Sequence, residues 1–301
     1  MASAPRLRVS KTLAREWLLF WLLIGPNLLL FGIFTYWPLV YNAYLSFVSW
    51  DFVRPSKRWV GLANYASVLG DDQFQTILAN TIVFTAASVM MTMLLGLGLA
   101  LLLNQPLRYR NTARAVLFAP TILSGAAVAI VWTYIFDPRY GLLNEFFRLV
   151  GAHSPSWLSD PHWAMPALII VYVWKNLGYA VVIYLAGLQS IDRSLYEAAT
   201  VDGAGAGDRF WHITLPGLSP VSFFLSVTSI LSCFQAFDLI RVMTGGGPIN
   251  ATNTLVFHLY ELGFVSFNAG EAGVVSLVLF LIMLVLTIFQ VRMVEQRVHY
   301  S

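Results

Sequence analysis

Apolar residues in this chain form long unbroken runs separated by short polar stretches. Six runs stand out, at about 17–36, 78–103, 115–136, 163–188, 218–240 and 272–291. Coiled into a helix, a run of about 20 apolar residues matches the hydrocarbon thickness of a bilayer. Only a structure that satisfies its own backbone hydrogen bonds survives there. The pattern therefore predicts an all-α, polytopic membrane protein with six transmembrane helices. Gly25-Pro26 lies inside the first run and predicts a kink. The basic N-terminus (Arg6, Arg8, Lys11, Arg15) raises the alternative of a cleaved leader. The run behind it is longer than a leader's apolar core and lacks a small-residue cleavage site, so it is read as a retained first span. This leaves 1–16 as a cytoplasmic N-terminal segment and 17–301 as a single transmembrane domain.

The polar stretches orient the bundle. With the N-terminus inside, the cytoplasmic segments hold Arg6, Arg8, Lys11, Arg15, Arg108, Arg110, Arg114, Arg193, Arg209, Arg292 and Arg297. The outer segments hold Arg54, Lys57, Arg58, Arg139, Arg148 and Arg241. The inside excess places both termini in the cytoplasm. Trp50, Trp59, Trp157 and Trp163 flank runs on the outer side, where interfacial anchors belong.

Composition agrees. The chain is 58% hydrophobic and 11% charged, well below the charge of an ordinary soluble domain. Its net charge of +3 is dispersed between the runs, which excludes a nucleic-acid patch. Cys233 is the single cysteine, so no internal disulfide forms. The five histidines are scattered without metal-ligand spacing.

The polar stretch at 190–217 carries the most chemistry. Asp192 or Ser190 can cap a helix that continues through Glu197, Ala198, Ala199 and Val201. Gly203, Gly205 and Gly207 permit a reversal. A second helical piece then starts at Phe210 to His212, and Pro216 precedes the fifth run. Small side chains rimmed by Glu197 and Asp202 suit a helix that enters a partner's cleft.

Here the chain resembles the permease subunits of ABC importers. Their signature loop is Glu-Ala-Ala, three residues, Gly, nine residues, Ile-x-Leu-Pro. It is matched by Glu197, Ala198, Ala199, Gly203, Ile213, Leu215 and Pro216. Asp202-Gly203-Ala204, Phe210, Pro220 and the run Met243-Thr-Gly-Gly-Gly-Pro248 resemble the sugar (maltose-type) branch. Within it, Pro220-Val-Ser-Phe-Phe-Leu225 and the ending Val294-Glu-Gln-Arg-Val-His-Tyr300 look like permeases for glycerol-3-phosphate and glycerophosphodiesters such as glycerophosphocholine. The resemblance implies a type I ABC importer permease fold in a prokaryotic plasma (inner) membrane. It also implies a second homologous permease subunit, two ABC ATPase subunits that use ATP and Mg, and an extracytoplasmic substrate-binding protein. Glu197, Ala198, Ala199, Asp202, Gly203, Ala204, Ile213, Leu215 and Pro216 are then the ATPase-coupling loop.

An ATP-using chain needs a phosphate-cradling G-x4-G-K-[ST] loop. The three lysines, Lys11, Lys57 and Lys175, do not follow glycines, so the chain binds no nucleotide cofactor of its own. Polar groups inside spans tend to face protein or water. On that ground Asn80, Lys175, Asn176, Tyr179, Ser229, Cys233, Gln235 and Asp238 are candidate substrate-pathway residues. Two readings of Lys175 stay open: a cation for a phosphate-bearing substrate, or a partner for a carboxylate of the second permease. A local i,i+3 ion pair with Arg241 is expected for Asp238. A di- or oligosaccharide is the alternative cargo. An ion-coupled secondary transporter would need intramembrane carboxylates, and Asp238 alone qualifies. A membrane-embedded enzyme lacks paired carboxylates, a histidine cluster or a Ser/His/Asp set in the runs.

Overall fold

The structure, a computed structural model, describes residues 11–294, with side-chain exposure from 15 to 292. Residues 1–10 and 295–301, including Arg6, Arg8, Arg297 and most of the 294–300 ending, lie outside the described residues.

The first span is longer than its apolar run suggested. α1 (Lys11–Phe31) passes through a wide π turn, Gly32–Tyr36, into α2 (Trp37–Leu45). α1 continues through Gly25-Pro26, where a kink was expected, and the ladder changes to a π turn at Gly32–Tyr36. An apolar helix accommodates a proline when local adjustments re-satisfy the freed carbonyl. No residue of this span's apolar window is buried within the chain. A short hairpin of β1 (Val48–Ser49) and β2 (Arg58–Trp59) and α3 (Ala63–Leu69) lead to the second span. That span is α4 (Asp72–Leu103), capped by Asp71, whose carboxylate accepts the Gln73 N–H at 2.9 Å.

The third run is not one straight helix. α5 (Arg110–Ile122) and α6 (Gly125–Ile135) meet at 104° around Leu123-Ser124. After α7 (Leu142–Leu149), α8 (Pro161–Ser190) is one continuous helix of 30 residues, with Pro161 in its first turn and Asp160 as cap. The fifth run is broken as well. α9 (Arg193–Val201), α10 (Ala206–Arg209), a π turn at Phe210–Thr214 and α11 (Leu215–Gly217) precede α12 (Ser219–Phe234), and the 206–217 piece bends 59° against α12. α12 stops at Phe234, short of the expected Ile240, and α13 (Phe237–Met243) starts anew beyond Gln235-Ala236. α14 (Leu255–Tyr260) with its π turn Glu261–Val265 leads to α15 (Ala269–Val294). Among the described residues, four helical stretches are long and apolar enough to cross a membrane; the two bent pairs are the remaining candidates.

α4 and α8 form the spine, and small residues set their spacing. A Cβ on Gly96 would stand 2.7 Å from that of Ala180. A Cβ on Gly178 would stand 2.1 Å from the Leu117 carbonyl oxygen of α5. Apolar helices gain nothing from burial against one another in lipid, so such close backbone packing is what holds them. One buried cluster gathers Phe84, Phe136, Leu168, Tyr172, Cys233 and Ile240 around α8 and α13. A second gathers Ala100, Val181, Tyr184, Leu218 and Leu225 nearer the 190–217 loop. A third joins Phe74, Ile77 and Leu255 to Val274 and Val275 of α15.

Candidate functional site

Two regions carry chemistry, and the first is the 190–217 loop. Asp192 caps α9, its carboxylate accepting the Ser194 N–H at 2.9 Å. That bond, with the Ser194 side chain, holds the Asp192 carboxyl below its ordinary range. Gly203 ends the helix at φ +81°, a left-handed conformation open to glycine. The Gly203 N–H reaches the Thr200 carbonyl at 3.1 Å and the Ala204 N–H the Ala199 carbonyl at 2.8 Å, the two bonds of a Schellman cap. The second helical piece begins at Ala206, four residues before the expected Phe210, because the Asp208 carboxylate accepts the Gly205 N–H at 3.1 Å. Gly205 and Gly207 have ordinary negative φ, so Gly203 alone makes the reversal.

Two side-chain bonds clamp the halves of the loop together. Arg209 Nη1 donates to Thr200 Oγ1 at 2.8 Å, and the Tyr196 hydroxyl meets Thr214 Oγ1 at 2.9 Å. Ile213 and Leu215 are half-buried behind this clamp. Glu197, Ala198, Asp202 and Pro216 are exposed, with Ala199 and Ala204 half-exposed. Leu195, Val201 and Trp211 are exposed at 53%, 88% and 63%. The loop is thus a rigid projection with a small, apolar, unpartnered surface beside a carboxylate.

The second region is a polar seam where the broken helices meet α8. A cavity of about 260 Å³ is lined by Lys175 and Asn176 of α8, Gly125 at the start of α6, Ser232 of α12, Gln235 in the break, and Asp238 of α13. A smaller adjoining cavity shares Tyr172, Asn176 and Ser232 and adds Tyr179, Ser229 and Thr92. The seam therefore brings together Lys175, Asn176, Tyr179, Ser229, Gln235 and Asp238. Thr121 Oγ1 donates to the Lys175 carbonyl at 3.0 Å and locks this stretch of α8 to α5. Asn176 spends its Nδ2 on the Tyr172 carbonyl at 2.8 Å, leaving its carbonyl oxygen as an acceptor.

Asp238 is not paired with Arg241: among the described residues no such contact lies within 4.0 Å. Its carboxylate instead approaches Gly125, where a Cβ would sit 3.0 Å from Oδ2. That is the N-terminus of α6, favourable for negative charge. Arg241 lies over the Tyr260 ring at 5.4 Å. Two expected pathway residues lie elsewhere. Cys233 is buried in the cluster around Tyr172. Asn80 donates to the Asn250 and Asn253 carbonyls at 2.8 and 3.1 Å and pins the 244–254 loop to α4. That loop turns at Gly245 and Gly246, both at positive φ, and closes on Thr252.

Tyr172, Gly125 and Thr92 line the seam without having been singled out. Tyr172 was accessible from spacing, being three and four residues before Lys175 and Asn176 on one helix face. Gly125 was not, because the bend of α5 against α6 brings it in.

The family model described as binding-protein-dependent transport system inner membrane component matches residues 92–300. The sn-glycerol-3-phosphate transport system permease protein UgpA of Agrobacterium fabrum is 37% identical over 284 residues, covering 93% of this chain and 96% of that one. A bacterial ABC transporter involved in the import of the acidic polysaccharide alginate superposes with a TM-score of 0.82 at 26% identity, covering 96% of this chain and 99% of the matched chain. The alginate transporter in complex with an alginate pentasaccharide-bound periplasmic protein gives 0.83 at 25%, covering 96% and 98%.

Proposed function

Because the chain belongs to the family of binding-protein-dependent transport system inner membrane components, and is an ABC importer permease subunit, we propose that it forms half of a translocation pore for a small phosphate ester. Glycerol-3-phosphate or a glycerophosphodiester is the substrate on this reading. The observation that carries it is the seam: a lysine, two amides, serines and tyrosines converge where two helices break against α8. Broken helices expose backbone only where they line a cavity, the pattern of transport sites. The relatives support an anionic cargo, since glycerol-3-phosphate and an acidic polysaccharide both carry negative charge. Lys175 supplies the matching cation. Asp238 lines the same cavity without an ion pair to Lys175 within 4.0 Å, so the lysine is free to meet the anion.

In this reading each bent pair is one crossing, giving six spans with both termini cytoplasmic, and the 190–217 loop faces the cytoplasm. The exposed face of α9 enters a cleft of an ATPase subunit. ATP binding in the ATPase pair moves that loop. The Schellman cap and the Arg209–Thr200 and Tyr196–Thr214 bonds carry the motion into α12 as one body. α12 ends at the seam, so the motor's stroke reaches the cavity directly. The equilibrium between inward- and outward-open states is thereby biased by nucleotide at one end and substrate at the other. A second homologous permease completes the pore, and an external binding protein delivers substrate. ATP and Mg belong to the ATPase subunits.

The test is uptake by the reconstituted complex with its binding protein, comparing glycerol-3-phosphate, glycerophosphocholine and a disaccharide. Uptake of the phosphate esters is expected. Uptake of the disaccharide alone would move the assignment to the sugar branch. Glu197→Lys should abolish uptake and substrate-stimulated ATPase activity, and wild-type values would refute the coupling role.

A further inference from the structure

A third polar cavity lies between the seam-distal end of the bundle and the coupling loop. It measures about 800 Å³, is open on one side and is bordered by the end of α4, the start of α5, the end of α8 and α9. Three guanidinium groups line it, from Arg110, Arg114 and Arg193, with Asn104 and Gln189 beside them. Glu197 is the carboxylate in the lining. Among the described residues, no carboxylate lies within 4.0 Å of the three arginines. Arg114 Nη2 donates to the Leu103 carbonyl at 2.9 Å, which caps the end of α4. That bond anchors the head group and leaves the Arg114 Nε buried with no partner. The cavity thus holds a surplus of two positive charges, and an unspent donor lies buried on one of the arginines that line it.

We propose that this cavity binds a phosphate-group anion. Planar guanidiniums fork onto phosphate oxygens, and a buried unpaired donor is costly until an acceptor arrives. The placement favours a lipid source. Leu101 and Leu188 line the cavity's other wall, and Leu107 and Tyr109 are exposed on the adjoining turn. Basic pockets between spans on the cytoplasmic side hold anionic headgroups in this way. The occupant touches the α4–α5 turn and α9 at once, so it buttresses the base of the coupling loop. The proposal is independent of the transported substrate.

The experiment uses the intact complex. Retention of phosphatidylglycerol against phosphatidylcholine is measured by native mass spectrometry, and equilibrium binding of labelled inorganic phosphate in detergent is measured in parallel. The main variant is Arg110→Gln with Arg193→Gln, both exposed. Arg139→Gln is the control, and Arg110→Gln alone is read if the double variant fails to assemble. Preferential phosphatidylglycerol binding should fall roughly thirty-fold in the double variant, at about 1 kcal/mol per arginine, and stay unchanged in the control. Saturable phosphate binding lost in the same variant, without lipid preference, would support the site with free phosphate as its ligand. Equal binding of both probes by variant and wild type overturns the proposal. So does an anion that binds only after the ATPase subunits are stripped, because a partner carboxylate then fills the cavity.

Discussion

Gly178→Ala tests whether the α5–α8 contact sets the position of the seam. The new methyl carbon would lie 2.1 Å from the Leu117 carbonyl oxygen and 2.6 Å from Phe118 Cα. Both are backbone atoms of α5, so no side-chain rotation relieves the clash. Ordinary contact requires the helices to separate by about 1.3 Å, and a close-packed interior resists that. Overpacking of this kind costs about 1–3 kcal/mol. The Thr121 bond to the Lys175 carbonyl, now 3.0 Å, spans the same interface and would be stretched or lost. That adds about 0.5–1.5 kcal/mol. A total of about 1.5–4.5 kcal/mol lowers the apparent melting point of the purified complex by several degrees, at about 2–4 °C per kcal/mol or less for a chain of this size. Uptake should fall further than stability, because Lys175 moves with the displaced helix. Gly98→Ala on α4 is the control: nothing lies within 4 Å of its Cβ, and alanine favours helix. Wild-type melting and uptake in Gly178→Ala would refute the argument that this backbone contact positions the cavity.

Three further outcomes are expected. Lys175→Ala should lower uptake of phosphate esters at least tenfold at unchanged assembly, since a charge-assisted bond contributes about 1.5–3 kcal/mol; normal uptake kinetics would assign Lys175 to structure. Gly203→Ala should cost about 1–2 kcal/mol in the loop, because its φ of +81° is strained for a side chain although nothing lies within 4 Å; a drop in ATPase stimulation with unaltered assembly is the readout, and full stimulation would contradict the role of the Schellman cap. His258, whose Nδ1 lacks a hydrogen-bond partner and stands 3.7 Å from Glu261, is held below its ordinary 6.5 by burial, against the opposing pull of Glu261, Asp71 and Glu271. A depressed folded value means the unfolded chain binds more protons below about pH 6.5, so stability is intact above that pH and is lost as pH falls toward the folded value. Melting curves of His258→Asn should be flatter than wild type across that window, and parallel curves would show that His258 is not the group responsible.

The runs of apolar residues made the helical class and the membrane setting legible, because lipid tolerates little else. The 190–217 loop was legible for a different reason. Its cap, reversal and helix restart are local, and Asp192 and Gly203 perform the roles that their chemistry suggests. Local rules failed where packing decided. The apolar run from 17 to 36 gives no sign of the π turn at Gly32–Tyr36. The apolar run from 218 to 240 conceals the break at Gln235-Ala236, since hydropathy does not register a lost hydrogen-bond ladder. Asp238 and Arg241 have ideal spacing for a pair on one helix, but Gly125 and Tyr260 claim them.

The amino-acid sequence alone determined which runs are apolar enough to enter lipid, where the 190–217 loop caps, reverses and restarts, and that no G-x4-G-K-[ST] motif is present. Each rests on interactions within a few residues or on transfer into a uniform solvent. The tertiary structure decided which polar residues share a cavity. Lys175 and Asp238 line one cavity because α5 bends against α6 and α12 gives way to α13. Cys233 and Asn80, equally polar on paper, face a core and a loop. The direction in which a span presents its polar groups depends on the neighbours that pack against it, and those neighbours lie far away along the chain.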